Sequence, residues 1–258
     1  VRDEFSEIIS FLERRLSKNL VFSKDIAGFI GNGYFIREML FAFKKVKELQ
    51  HTFTLPESFY LINKIFNDYL IRPMGIFQLV DYVGLDVCYQ ICSVMEQFIP
   101  HESFEDSLLD SFLELRVVGG QCNDGSQKSG IFQYEEQNII GIYDVASKNY
   151  LSVDKSWKES LDNFLGHPPE RMMSWRSFRK EKDLQEKLNF YLSQLFKSKE
   201  EGSLMAQEFL INYQKIGKNL LESGLAKDAQ SINQVLKDGF AQLYGPLEED
   251  LVTIVSDS

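Results

Sequence analysis

The sequence predicts a mainly α protein with a small β segment near its middle. Apolar residues recur at three- and four-residue intervals through most of the 258 residues, which is the spacing of amphipathic helices. Short β-type runs, IFQY, IIGIY and YLSV, fall within residues 131–153 and are separated by polar turns. Hydrophobic residues make up 44% of the chain and aromatic residues 13%, so we expect a well-packed core.

The charge composition argues against several classes of partner. Lys and Arg number 28 against 38 Asp and Glu, which gives a formal net charge of -10. Such a surface repels phosphate backbones, so we expect no nucleic-acid partner. No apolar run approaches the roughly 18 residues that cross a bilayer, so no membrane span is predicted. The opening residues, VRDEFSEII, lack the apolar core of a signal peptide, and we predict a cytoplasmic protein.

The three cysteines, Cys88, Cys92 and Cys122, have no disulfide-framework spacing. We interpret them as reduced thiols, as cytoplasmic proteins usually keep them. Cys88 and Cys92 lie one turn apart on a predicted helix. With no His near them in the sequence, core packing is favoured over metal binding, and no metal site is expected.

The N-terminal residues resemble the end of a larger unit. Residues 6–20 have helical apolar spacing, and residues 19–22, NLVF, are predicted as a short strand. A helix with one strand cannot form a sheet by itself. We therefore predict that residues 1–23 are the tail of another domain; a helical arm with an extended linker is the alternative.

Asn32 stands at the entrance of a long apolar helix, predicted from Tyr34 to Leu49. The glycines before it follow the order G-x-x-G-x-G, which differs from the dinucleotide-binding G-x-G-x-x-G. Asn is a preferred N-cap residue, and capping is the simplest role for Asn32 from the residue pattern alone. Alternatively, its amide could donate and accept hydrogen bonds to a ligand.

Helix signals continue along the chain. Residues 54–57, TLPE, form a capping box that opens a helix to about residue 71. Residues 72–75 break the pattern, and Gly84 interrupts the helical run that follows. Asp81 and Asp86 are predicted to hydrogen-bond helix ends, with Asp86 as a cap. The remaining predicted helices cover residues 183–196, 204–221, with Gly224 as C-cap, and 226–240, with Asp228 as N-cap.

Three ordered motifs resemble one protein family. AGFIGNGYFIREML is similar to the G-F-I-x-N-R segment that opens the C-terminal domain of 3-hydroxyacyl-CoA dehydrogenases. RPMGIFQLVDYVGLDV resembles that family's P-M-G-P-F-x-L-x-D-x-x-G-L-D segment. GSQKSGIFQY resembles the G-x-K-x-G-x-G-F-Y-x-Y arm that follows it. Together the motifs cover roughly residues 6–135.

The resemblance implies a function in fatty-acid β-oxidation, the NAD-dependent oxidation of 3-hydroxyacyl-CoA to 3-oxoacyl-CoA. Asn32 matches the family's active-site Asn, which hydrogen-bonds the reacting oxygen of the acyl-CoA, so the ligand role becomes preferred over the cap. Phe29, Ile76 and Phe77 match positions on the substrate side. The resemblance places NAD, the catalytic His and its Glu in an N-terminal Rossmann domain, so we expect this chain alone to bind no cofactor and to be inactive.

Several positions depart from the family's motifs. The Arg after the active-site Asn is Gly33 here, and the Pro after Met74-Gly75 is Ile76. The Pro before Gly28 is Ala27, and the arm lacks one Gly before Phe132. None of His51, His101 and His167 has a catalytic context, and we predict that all three lie on the surface.

The C-terminal residues resemble a second copy of the same helical domain, as in the multifunctional fatty-oxidation enzymes. The match lacks G-F-I-x-N, so a structural role is expected. The resemblance implies two helical domains in tandem, similar to the C-terminal domain of 6-phosphogluconate dehydrogenase, with a β hairpin or meander between them. The predicted divisions are residues 1–23, 24–118, 119–169 and 170–258.

Two functional hypotheses remain. The first is the substrate-side and dimerisation region of a 3-hydroxyacyl-CoA dehydrogenase, with the acyl-CoA and the missing Rossmann domain as partners. Its helical domains would pair within one chain or in a homodimer. The alternative is a non-catalytic helical interaction module that kept the scaffold, which the departures at Gly33 and Ile76 motivate.

Overall fold

A computed structural model describes residues 5–16, 19–136, 138–169 and 174–256. The helices of the N-terminal part are α1 Ser6–Leu16, α2 Phe29–Leu49, α3 Leu55–Lys64, α4 Ile76–Val83, α5 Leu85–Phe98 and α6 Ser107–Glu114. The strands are β1 Phe132–Glu135, β2 Asn138–Asp144 and β3 Asn149–Ser152. The later helices are α7 Lys155–Leu165, α8 Trp175–Phe178, α9 Leu184–Lys197, α10 Glu201–Glu222, α11 Ala229–Gly239 and α12 Glu249–Ser256. The predicted mainly α class is confirmed.

The strands form an antiparallel meander in the order β1-β2-β3, close to the three predicted β runs. Phe132 pairs with Ile142, and Ile142 pairs with Leu151 on the other side. The register of the first pair shifts between Gln133 and Tyr134, which marks an irregularity in β1. The meander lies between the two groups of helices along the chain, as predicted.

Two local predictions were wrong. Residues 19–22 are not a strand; the neighbouring Ser23 makes one isolated bridge to Ala226. α2 begins at Phe29, five residues before the predicted start. The helix predicted from the Thr54 capping box to about residue 71 extends to Tyr69, and its last part is a π-helical turn, Ile65–Tyr69, that follows α3. Residues 1–4, 17–18, 137, 170–173 and 257–258, which fall in predicted divisions, lie outside the described residues.

The helix caps agree better with the sequence. The Thr54 capping box is present in full, with Glu57 accepting from the Thr54 backbone. Asp228 caps α11 by accepting from the Ser231 backbone N–H. Gly224 follows α10 with a φ of 68°, the left-handed conformation that ends many helices. Asp86 is not the cap of α5, which is Gly84; its carboxylate instead accepts from the next residue, Val87.

α2 is the central helix of the N-terminal part. It packs against α3, α4 and α5 on one side and against α10 and α11 on the other. Phe43 of α2 lies 5.2 Å from Phe77 and 6.2 Å from Phe59, measured between ring centroids. Cys88 and Cys92 are buried in this core as free thiols, as the sequence predicts, and Cys122 is exposed. No helix of the described residues is long and apolar enough to cross a membrane.

The loop before α4 and the loop before α12 share a set of contacts. The backbone N–H of Gln78 donates to Asn63 Oδ1 at 3.2 Å, and that of Leu247 donates to Asn233 Oδ1 at 2.9 Å. In each case a Cβ added to the loop glycine, Gly75 or Gly245, would clash with the asparagine. Asn63 and Asn233 are 170 residues apart, as are Gly75 and Gly245.

The same interval relates further backbone features. Arg72 N donates to Phe66 O at 2.9 Å, and Gln242 N donates to Leu236 O at 3.3 Å. The residue before each donor has a left-handed φ: 51° at Ile71 and 52° at Ala241. Left-handed non-glycine residues are uncommon, so finding a pair in register indicates that the two helix–loop segments have the same conformation.

Residues of the C-terminal part donate hydrogen bonds to the π-helical turn and to the residue after it. Tyr191 Oη donates to Tyr69 O at 2.9 Å, and Tyr244 Oη donates to Leu70 O at 2.8 Å. The guanidinium of Arg72 contacts the rings of both Tyr213 and Tyr244, at 4.4 and 4.7 Å from their centroids. The chain leading to Pro73-Met74-Gly75 is therefore fixed by residues of the C-terminal part.

Candidate functional site

Asn32 lies in the first turn of α2, on the surface of the protein. Within the described part of the chain, its side chain makes no hydrogen bond. It does not cap the helix, because the N-cap position is taken by Gly28 and carries no side-chain cap. The capping alternative is therefore wrong, and the Asn32 amide is free to bind a ligand.

The backbone turns sharply just before this helix. Gly28 has a φ of 85° and Phe29 a φ of 45°, two successive left-handed residues. A Cβ at Gly28 would lie 2.9 Å from the Met95 sulfur and 3.0 Å from Gly33 Cα, so only glycine fits there. This close approach fixes the start of α2 against α5.

The uncapped start of α2 favours negative charge. Backbone N–H groups of a first helical turn have no acceptor within the helix, and the helix dipole places partial positive charge there. The first turn contains no acidic residue. An oxygen that gains negative charge beside Asn32 would be stabilised by both the amide and the helix end.

Arg37 lies one helical turn after Gly33 in α2 and binds the first turn of the helix. Its Nη1 donates to Gly33 O at 2.7 Å, while Nε and Nη2 donate to the two carboxylate oxygens of Glu102 at 2.6 and 2.7 Å. The guanidinium also lies 5.2 Å from the ring centroid of Phe104. The sequence analysis missed Arg37; its position four residues after Gly33, on the same helix face, was the available signal.

Asp81 joins the second motif to the third. It is fully buried and accepts from Ile131 N at 2.7 Å, from Phe132 N at 2.9 Å and from Tyr134 Oη at 2.9 Å. Its own carbonyl accepts from Gly120 N and from the Gln127 side chain. The helix-end role predicted for Asp81 is therefore wrong: the side chain anchors the arm that leads into β1.

A comparison with known protein families finds a match. The family model described as "3-hydroxyacyl-CoA dehydrogenase, C-terminal domain" matches residues 28–129. This segment of the chain is therefore similar to that family's C-terminal domain. The match begins at the Gly28 turn and ends in the arm, so it contains Asn32 and Asp81. It stops just before the residues that donate hydrogen bonds to the Asp81 carboxylate. None of the curated proteins matches the chain.

Two of the other predicted substrate-side residues are not next to Asn32. Phe29 is close by and exposed, but Ile76 and Phe77 are buried in the core. Phe77 contacts Phe43, which lies eleven residues after Asn32, or about 16 Å along the helix. The structure thus brings Phe29 and Asn32 together and separates both from Ile76 and Phe77, whose place in an acyl pocket stays a prediction.

The glycines around Asn32 do not lie in a dinucleotide-binding turn. Gly31 and Gly33 lie inside α2 rather than in a strand-to-helix turn. The only sheet within the described ranges is the antiparallel meander, whereas a dinucleotide site needs a parallel βαβ unit. Among the described residues there is also no cluster of three potential metal ligands.

A separate cavity of about 790 Å³ lies between the π-helical turn and the region of α7 and α8. Its lining includes Lys64, Asp68, Asp162, His167 and Trp175. Lys64 forms ion pairs with two of these carboxylates, at 2.6 Å from Asp68 and 3.4 Å from Asp162. His51, His101 and His167 are all exposed, as predicted.

Proposed function

We propose that this chain is the substrate-side region of an NAD-dependent 3-hydroxyacyl-CoA dehydrogenase of fatty-acid β-oxidation. The observation that carries the proposal is the free amide of Asn32 at an uncapped helix start, within the segment that matches the family. In this role the Asn32 side chain donates a hydrogen bond to the substrate oxygen on C3. Phe29 would contact the acyl-CoA beside it.

We also propose that residues 24–118 and 170–258 are two copies of one helical domain, joined by residues 119–169. The contacts repeated at an interval of 170 residues, from Asn63 to Asn233 and from Gly75 to Gly245, support this division. The second copy would be structural, pairing with the first through α2 and α10. Residues 1–23 would belong to the domain that supplies the cofactor and the catalytic base.

Asn32→Ala, made in the parent protein that includes the cofactor-binding domain, tests the proposed function. Loss of one donor to a developing oxyanion lowers kcat by about 10²–10³-fold. The measurement is NADH formation from a 3-hydroxyacyl-CoA. The chain as printed is the negative control and should form no NADH, because the resemblance places the dinucleotide site in a separate Rossmann domain.

Gln97→Ala, an exposed change on α5, serves as the matched amide control and should keep the wild-type rate. An Asn32→Ala enzyme with unchanged kcat would contradict the role of Asn32. A parent protein that does not oxidise any 3-hydroxyacyl-CoA would contradict the proposed reaction itself.

The second candidate function is a non-catalytic helical interaction module. The burial of Ile76, where the family's motif has Pro, favours it, since this residue packs in the core rather than facing a ligand. In that case the wild-type parent and its Asn32→Ala variant would bind their partner equally well, and both would be inactive.

A further inference from the structure

The departure at Gly33 leaves this position of α2 without a side chain, and the side chain of Arg37 lies beside it. A Cβ at residue 33 would lie 3.4 Å from Arg37 Nη1, an ordinary contact distance, so the guanidinium packs next to this point of the helix. Gly33 follows Asn32 directly. A guanidinium from residue 37 thus lies next to the position where the family's motif has an arginine.

Arg37 also ties this turn to a second part of the fold. Both carboxylate oxygens of Glu102, in the loop between α5 and α6, accept from the same guanidinium that binds Gly33 O. The side chain of Arg37 is 13% exposed and that of Glu102 is 45% exposed, so the arginine end of this ion pair is shielded from solvent and the carboxylate end is open to it. A planar guanidinium can make these three bonds at once, whereas an ammonium group cannot match that geometry.

We propose that Arg37 is a positioning residue for Asn32, acting by bridging Gly33 O to Glu102. This inference rests on the proposed function for its catalytic consequence. The Asn32 amide has no hydrogen bond of its own among the described residues, so its direction is set by the backbone of the turn that carries it. Fixing the Gly33 carbonyl fixes that turn relative to α5 and its following loop.

In this proposal the hydrogen bonds of Arg37 to Gly33 O and Glu102 position the turn, and the charge of Arg37 alone does not. Three variants distinguish the effect of these hydrogen bonds from the effect of the charge. Arg37→Met keeps the aliphatic packing on Phe104 and removes all three bonds. Arg37→Lys keeps the charge and removes the bridge. Glu102→Gln keeps the bond to Gly33 and weakens the tie to the loop. Arg179→Met is the matched control, because Arg179 is exposed and contacts Trp175, far along the chain from α2.

The first measurement uses the printed chain and needs no activity. Amide hydrogen exchange of residues 33–36 should quicken about tenfold in Arg37→Met and in Arg37→Lys, with a smaller change in Glu102→Gln and none in Arg179→Met. An unchanged exchange rate of residues 33–36 in Arg37→Met would overturn the proposal that Arg37 fixes this turn. Wild-type exchange in Arg37→Lys would show that charge alone suffices and would also overturn it.

The second measurement uses the parent protein with its cofactor-binding domain. Arg37→Met and Arg37→Lys should each lower kcat about tenfold, with KM within about twofold of wild type, because a misdirected amide weakens the transition state more than substrate binding. A merely structural role would lower the melting temperature and leave kcat of the folded enzyme unchanged, which would overturn the proposal. An inactive wild-type parent would instead contradict the proposed function, while the exchange experiment would still decide the bridge.

Discussion

At the scale of single residues, Asp81 combines burial with three hydrogen-bond donors. Burial raises the pKa of Asp81 to about 7, although the bonds from Phe132, Ile131 and Tyr134 act in the opposite direction. Burial raises the pKa of the Tyr134 and Tyr150 hydroxyls and of the Cys88 thiol, and the negative charge of the Asp81 carboxylate raises these pKa values further. Ionising Asp81 therefore costs free energy in the folded protein.

This cost predicts a pH dependence of stability. The pKa of Asp81 is higher in the folded state than the value of about 3.9 in an unfolded chain, so the folded state binds the proton more tightly. The free energy of unfolding should therefore fall as the pH rises from about 4 to about 7 and should level off above that range. Urea unfolding measured at half-unit pH intervals would show the slope.

Asp81→Asn separates this effect from the other ionisable groups. The variant should lose about 1–3 kcal/mol, because an amide nitrogen facing Phe132 N or Tyr134 Oη leaves a buried donor unpaired. Its stability should also change less between pH 4 and 7 than that of the wild type. Equal slopes in the two proteins would assign the pH dependence to other groups.

At the scale of secondary-structure elements, the two asparagines of α3 and α11 hold equivalent loops. Each accepts from the backbone N–H of a residue that follows a loop glycine by two or three positions. Asn63 also donates to the Gln78 side chain at 3.1 Å, so the first loop has one bond more than the second. The loops are thus similar in shape but differ in how strongly they are held.

Asn63→Ala and Asn233→Ala should both lower the free energy of unfolding, by about 1–3 kcal/mol each, because the released backbone N–H loses its partner. The loss should be larger for Asn63, whose replacement also removes the bond to the Gln78 side chain. Asn219→Ala, at an exposed asparagine of α10, is the control. The measurement is chemical unfolding, and no loss in either loop variant would show that water replaces the asparagine.

Features that depend on neighbouring residues in the sequence were predicted well. The errors concern residues whose contacts lie far along the chain. The Thr54 capping box and the Asp228 cap depend on neighbours three residues away, so the sequence shows them directly. The role of Asp81 depends on residues 50 positions further along, which no local pattern reveals. The same holds for the candidate site. The sequence motif was enough to predict Asn32 as a site residue, whereas the contact of Arg37 with Glu102, 65 residues away, is seen only in the structure.

At the scale of the whole molecule, a buried arginine joins the N-terminal and C-terminal helices. Arg72 contacts the rings of two tyrosines, Tyr213 and Tyr244, and its guanidinium nitrogens make no hydrogen bond of ordinary geometry among the described residues. Glu38 of α2 is buried near it; burial raises the pKa of that carboxyl, and Arg72 lowers it. The cation is therefore stabilised by aromatic faces and by the field of Glu38.

Arg72→Met should lower the free energy of unfolding at pH 8 by about 3 kcal/mol, because it leaves the Glu38 carboxylate buried without a nearby cation. In a Glu38→Gln background the same change should cost at least about 1 kcal/mol less, since no charge is left behind. Urea unfolding of the four proteins measures this coupling. Strictly additive losses would show that Arg72 acts through the tyrosines alone.

In the proposed repeat, Asp81 and the residue at the equivalent position differ. Leu251 stands 170 residues after Asp81 and is buried. The carboxylate at the first position pins an arm, whereas the leucine at the second fills apolar space in α12. An aspartate at position 251 would bury a charge beside the apolar neighbours of α12, and a leucine at position 81 would release the arm. Single substitutions in either direction are therefore costly, because each segment depends on the residue that it has at this position.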